Sequence, residues 1–208
     1  MSDASHPPYW DQAIKALSKR DATLKGIIRS YHGETMKARG DAFFTLARAI
    51  TGQQISVKAA DSIWGRLVGE LGEVKPERLL ATPPQRLREL GFSQQKIAYL
   101  RDIAEHFTDR ARIAHWPELE DDALIAELVK LKGVGRWTAE MMLMFHYLRP
   151  DVFPIDDLGL LKAIYRHYNG GERMPKEAVL KLGETWRPWR SVATWYLWRA
   201  LDPVPVEY

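Results

Sequence analysis

The residues best placed to do chemistry are the two acids in Asp151-Val152-Phe153-Pro154-Ile155-Asp156-Asp157-Leu158. Pro154 imposes an extended approach. The acids then open a helical pattern, where the dipole favours negative charge. Helix capping, in which a carboxylate accepts first-turn N–H groups, is the reading for Asp156. For Asp157 two readings stand: a cap, or an ionised carboxylate that faces a developing cation.

Three more stretches stand out. Leu131-Lys132-Gly133-Val134-Gly135-Arg136-Trp137-Thr138-Ala139 places two glycines between helical patterns. Such a turn approaches another molecule closely, and the helix after it opens with N–H groups that suit a phosphate. Gly-x-Gly also serves as the cap of an ordinary helical hairpin, and alone it does not decide. Ala49-Ile50-Thr51-Gly52-Gln53-Gln54-Ile55-Ser56 is a polar loop joining two helices. Trp186-Arg187-Pro188-Trp189-Arg190-Ser191-Val192-Ala193-Thr194-Trp195-Tyr196-Leu197-Trp198-Arg199 holds half of the eight tryptophans. Core packing explains Trp189, Val192, Ala193 and Tyr196. Trp195 and Trp198 form a second flank, suited to core, interface or ligand.

The elements that must position these residues are helices. Ala60, Ile63, Trp64 and Leu67 follow the i, i+3, i+4, i+7 pattern behind a capping Ser56. Trp137, Met141, Met144, Phe145 and Leu148 repeat it, as do Leu161, Ile164, Tyr165 and Tyr168. Trp189, Val192, Ala193 and Tyr196 repeat it again, with Pro188 at a first-turn position. No segment alternates in the manner of a strand. Breaks at Gly33, Gly40, Thr51-Gly52, Gly72, Pro83-Pro84, Gly91, Pro117, Gly133–Gly135, Pro150, Gly170-Gly171 and Pro203 imply an all-α chain of roughly ten helices.

The composition of the 208 residues, 46% hydrophobic and 27% charged, is that of a globular protein. The net charge is +3, yet residues 12–50 carry eight Lys/Arg against three acids, while residues 118–127 are acidic. That bias fits a polyanionic partner and fits solvated helix faces equally. The lack of cysteine excludes disulfides, thiolate catalysis, thiolate-bound zinc and iron–sulfur clusters. No apolar run spans a bilayer and the N-terminus carries no secretory pattern, so a cytoplasmic location, in a bacterium or its nucleoid, is expected.

Taken together, the four stretches resemble the helix-hairpin-helix–Gly/Pro/Asp superfamily of DNA glycosylases, 3-methyladenine DNA glycosylase II branch, over roughly residues 40–200. The strongest part couples Lys-Gly-Val-Gly-Arg-Trp-Thr-Ala to Phe-Pro-Ile-Asp-Asp, with Asp157 lying 22 residues after Gly135. The Arg-Pro-Trp-Arg-Ser-x-Ala block belongs to the same branch. The resemblance implies an all-α glycosylase fold of two helical subdomains, about 42–150 with the hairpin at 131–136, and about 1–41 plus 151–208, flanking a cleft. It implies the compact form without an N-terminal β domain, acting as a monomer.

The resemblance makes Asp157 the catalytic carboxylate. It makes the backbone of Gly133, Val134, Gly135 and Thr138 the phosphate grip, and the carbonyls of Val129, Leu131 and Val134 a site for structural Na+ or K+. Trp137, Met141 and Trp198 would line the base pocket, and Gln54, with Ile55, would fill the gap left by an extruded base. Lys132 departs from the proline usual there, Met141 from an aromatic and Gln54 from an apolar wedge. The implied activity is excision of alkylated purines (3-methyladenine, 7-methylguanine) from duplex DNA, with no catalytic cofactor. Trp137 stands where lyase relatives carry lysine, so strand cleavage is not expected. The same fold acting on another damaged or mismatched base, a non-catalytic helix-hairpin-helix DNA-binding protein and a helical interaction domain are the alternatives.

Overall fold

The computed structural model describes residues 6–38 and 40–201. Arg39, counted in the basic stretch, and the break at Pro203 lie outside the described residues. Within them the chain forms α1 (Trp10–Arg20), α2 (Ala22–Ser30), α3 (Ala42–Gly52), α4 (Val57–Leu71), α5 (Pro76–Ala81), α6 (Pro84–Glu89), α7 (Gln94–Thr108), α8 (Arg110–Ile113), α9 (Asp121–Leu128), α10 (Arg136–Phe145), α11 (Leu158–Tyr168), α12 (Lys176–Thr185) and α13 (Arg190–Leu201). No strand occurs among the described residues, and no helix there is long and apolar enough to cross a membrane.

The class is the expected one, but the count exceeds ten because α5, α6 and α8 are too short to show a helical period. Pro84, read as a break with Pro83, is the first residue of α6, and Pro76 likewise opens α5. Proline suits a first helical position, where its missing N–H has no intrahelical acceptor anyway. Helices of six residues are too short to show a period. Elsewhere local signals hold: Ser56 caps α4 by accepting from Ala59 N at 3.3 Å.

Two compact units result, residues 40–142 and residues 6–38 with 143–201. In the first, α7 packs on α3, α5, α6 and α8. Phe43, Leu46, Ile50, Leu100, Ile103 and Ala104 are buried there, and each large side chain contributes about 1.5–3 kcal/mol.

In the second, α13 is the central element, packed on α1, α2 and α11. Val192, Ala193, Thr194, Tyr196 and Leu197 are all buried, so α13 is enclosed on every side rather than along one stripe. It begins at Arg190, which leaves Pro188 and Trp189 outside its first turn. Trp189 stacks on Tyr9 at 5.7 Å. Trp195 meets Trp10 edge-on at 5.3 Å, a core contact. The expected α10 stripe stops at Phe145, and Leu148 sits beyond the helix with a φ of 51°. On α11 the buried face is Leu160, Ala163 and Ile164. Of the predicted stripe only Ile164 belongs to it.

Candidate active site

Asp157 is 6% exposed and caps α11. The turn before it closes when Asp157 N donates to Pro154 O at 2.9 Å. With its backbone extended, Asp157 turns Oδ1 back to accept Leu160 N at 2.6 Å. The same Oδ1 accepts the indole Nε1–H of Trp198 at 2.8 Å. Capping and a chemical role are therefore compatible in one residue. The capping reading for Asp156 is corrected: its carboxylate points to solvent and pairs with Lys176 Nζ at 2.9 Å.

Trp198 reaches that oxygen because the start of α13 holds the segment leading to Asp157. Ser191 Oγ donates to Arg149 O at 2.6 Å and accepts Val152 N at 2.9 Å, while Ser191 N donates to Pro150 O at 3.0 Å. The Arg190 guanidinium forks onto both oxygens of Asp151, Nε to Oδ1 at 2.8 Å and Nη2 to Oδ2 at 3.0 Å. Such a charge-assisted fork fixes geometry as well as charge. The Arg-Ser of the Trp-rich block thus anchors residues 149–152, and Trp198, two turns further on, meets Asp157. Gly159 completes the fit: a Cβ there would lie 3.2 Å from Asp157 Oδ1 and 3.5 Å from the Trp198 ring. Phe145 stacks on Trp198 at 6.1 Å with the planes 19° apart.

The unit of residues 40–142 carries the hairpin and the polar loop. Gly133 has a φ of 80°, and an added Cβ would come within 2.2 Å of Tyr99, so no other residue fits. Lys132 N donates to Asp102 Oδ2 at 3.0 Å, and its Nζ lies 3.1 Å from Oδ1. Burial alone would raise the Asp102 carboxyl, but the Lys132 amide and ammonium outweigh it and hold it below the usual range. Lysine in place of proline therefore supplies an N–H anchor that proline lacks. Val134 N closes the turn on Leu131 O at 3.1 Å, and Gly135 O accepts Ala139 N at 3.0 Å to start α10. Thr138 is buried in that first turn.

Gln53 Nε2 donates to Gly133 O at 2.9 Å and ties the polar loop to the hairpin. Lys96 Nζ donates to Thr51 O at 2.7 Å at the end of α3, and its partial burial lowers its pKa. Just beyond these ties Gln54 and Ile55 are exposed. Gln54 holds a φ of 58°, a left-handed conformation that costs a residue other than glycine on the order of 1 kcal/mol. Gln53, Lys96, Tyr99 and Asp102 were not singled out from the sequence. The neighbouring Gln54 was the only hint of Gln53. Lys96, Tyr99 and Asp102 lie within α7, with no local sign of their partners.

Trp137 is half-buried in the first turn of α10, and Met141, one turn on, is 4% exposed on the same helix face. The carbonyls of Val129, Leu131 and Val134 lie in the turn between α9 and α10. They form a neutral oxygen set, in which Leu131 O already accepts one N–H. Such a set suits a hard monovalent cation rather than zinc.

The family model of the HhH-GPD superfamily base excision DNA repair proteins matches residues 47–188. A Bacillus subtilis DNA-3-methyladenine glycosylase is 30% identical over 205 residues, covering 89% of this chain and 65% of the relative. The chain thus spans just under two thirds of that protein. The crystal structure of a Bacillus halodurans DNA-3-methyladenine glycosidase superposes with a TM-score of 0.81 at 34% identity, covering 91% of this chain and 89% of that one. A Schizosaccharomyces pombe 3-methyladenine DNA glycosylase, solved in complex with abasic DNA, gives 0.79 at 31% identity, over 90% and 95%.

Proposed function

The chain belongs to the HhH-GPD superfamily of base excision DNA repair proteins, and we propose that it is a DNA-3-methyladenine glycosylase. It binds duplex DNA and hydrolyses the N-glycosidic bond of alkylated purines of the 3-methyladenine and 7-methylguanine class. The observation that carries this reading is the Asp157 carboxylate, buried at the start of α11 with Oδ1 fixed by Leu160 N–H and Trp198 Nε1–H.

A base inside a duplex is out of reach, so the enzyme extrudes it. A purine alkylated at N3 or N7 is cationic, and the glycosidic electron pair leaves with it to give a neutral base. That weak bond needs little help from a general acid. Positive charge grows on C1′, where a fixed carboxylate stabilises it and orients the attacking water. The water adds to C1′, its proton is lost, and an intact abasic strand remains.

Trp198, and Trp137 with Met141 on α10, contact the extruded base, whose charge favours aromatic faces. The backbone at Gly133, Val134, Gly135 and Thr138 grips a phosphate, and Gln54 with Ile55 fills the gap in the stack. The carbonyls of Val129, Leu131 and Val134 would hold Na+ or K+, whose charge would favour that phosphate. The protein works as a cytoplasmic monomer. With Trp137 in the position of a lyase lysine, no Schiff base forms, and borohydride traps no protein–DNA adduct.

The test is chromatographic analysis of bases released from methylated duplex DNA. Release of 3-methyladenine by the native protein and its loss in Asp157→Asn are expected. Native protein that releases none would overturn the reading.

A further inference from the structure

On the outer side of α11 a groove of about 520 Å³ opens beside Asp157. Its lining includes Asp156 and Leu158, the two neighbours of Asp157, and continues through Leu161, Lys162, Tyr165 and Arg173. Leu161 and Tyr165 are two of the three members of the predicted α11 stripe that the core leaves out. Leu158 is 81% exposed, the most exposed large apolar side chain among the described residues.

The charge of this groove is one-sided. Its only acid, Asp156, is paired with Lys176 across 2.9 Å. Lys162 and Arg173 have no carboxylate partner among the described residues, and both are exposed. Arg173 does not sit on a loose loop. The turn that carries it is closed by Gly171 N to Tyr165 O at 2.9 Å and by Asn169 Nδ2 to Glu172 O at 3.0 Å.

Two uncompensated cations beside an exposed leucine fit a ligand that alternates anionic and apolar groups. A nucleic-acid strand does so, with a phosphodiester on either side of each deoxyribose. We infer that this groove is a second DNA-backbone site, additional to the hairpin. Lys162 and Arg173 bind phosphodiesters of the strand that carries the damaged nucleotide, and Leu158 and Leu161 pack on the intervening sugar. The inference rests on the glycosylase reading, in which C1′ of that strand lies at Asp157. The strand's next phosphates then run past residues 156 and 158. Lysine supplies a point charge and arginine a fork.

The hairpin grips through neutral backbone amides, so cationic side chains dominate the salt dependence. The probe is a duplex with a stable abasic analogue, titrated by fluorescence anisotropy across sodium chloride concentrations. For the double substitution Lys162→Gln and Arg173→Gln, the log–log slope should shrink by about 1.8, at roughly 0.9 per phosphate contact. Lys25→Gln with Lys181→Gln, which removes two exposed cations outside the groove, should leave the slope unchanged. Leu158→Asp places an acid in the first turn of α11, where the dipole tolerates it. It should weaken duplex binding at low salt without lowering the melting temperature. A wild-type slope in the Lys162/Arg173 variant would overturn the groove and leave the glycosylase intact, as would equal losses in both double variants. Wild-type protein that neither binds the duplex nor releases methylated bases would instead overturn the glycosylase reading itself.

Discussion

Trp198 Nε1–H and Leu160 N–H converge on one oxygen of Asp157, at 2.8 and 2.6 Å. A helix cap and an aromatic side chain from a different helix thus fix the same carboxylate. Both donors are neutral N–H groups, and together they orient the anion.

Asp157→Asn keeps the size and leaves an amide oxygen able to accept both donors. Stability should change by at most about 1 kcal/mol. Loss of the charge that faces the oxocarbenium should cost roughly 10²–10³-fold or more in base release, with duplex binding retained. Asp156→Asn loses only an exposed ion pair, worth about 0.2–1 kcal/mol, and should keep most of its activity. The opposite pattern in single-turnover assays would move the catalytic role to Asp156.

Trp198→Phe keeps a ring on Phe145 but removes the donor to Asp157. A hydrogen bond to a charged group is worth about 1.5–3 kcal/mol, and roughly a tenfold or greater loss in kcat is expected with little change in KM. Trp198→Ala removes the ring as well. It should cost about 1–2 kcal/mol more on a cationic 7-methylguanine than on neutral hypoxanthine, for a desolvated cation–π contact. Equal losses on both bases would reduce Trp198 to packing.

Gly159→Ala separates stability from activity. Helix propensity favours alanine by up to about 1 kcal/mol, yet its Cβ falls 3.2 Å from Asp157 Oδ1. Thermal melting should hold or rise while base release falls. Unchanged release would show that the Asp157–Trp198 contact tolerates displacement.

Gln54→Ala should weaken binding to a lesion-containing duplex more than to single strands, since only a duplex leaves a gap to fill. Gln53→Ala cuts the tie to Gly133 O and should mimic that selective loss. Equal weakening on both substrates, measured by anisotropy, would remove the wedge role from this loop.

What the sequence determined by itself was local. The helical class, the Ser56 cap and the placing of Asp157 behind Phe-Pro-Ile follow from periods and caps that act within about four residues. The two adjacent acids show where that reach ends: only the turn after Pro154 decides that Asp157 points inward and Asp156 outward. The choice of partners was made by the tertiary structure. Trp198 is 41 residues from Asp157 and Gln53 is 80 residues from Gly133. Ser191 reaches the carbonyl of Arg149 across 42 residues. Packing also decided that Leu161 and Tyr165 line a groove while Leu160 and Ala163 fill the core. A helix period marks apolar residues, but only the neighbouring helices determine which of them are covered.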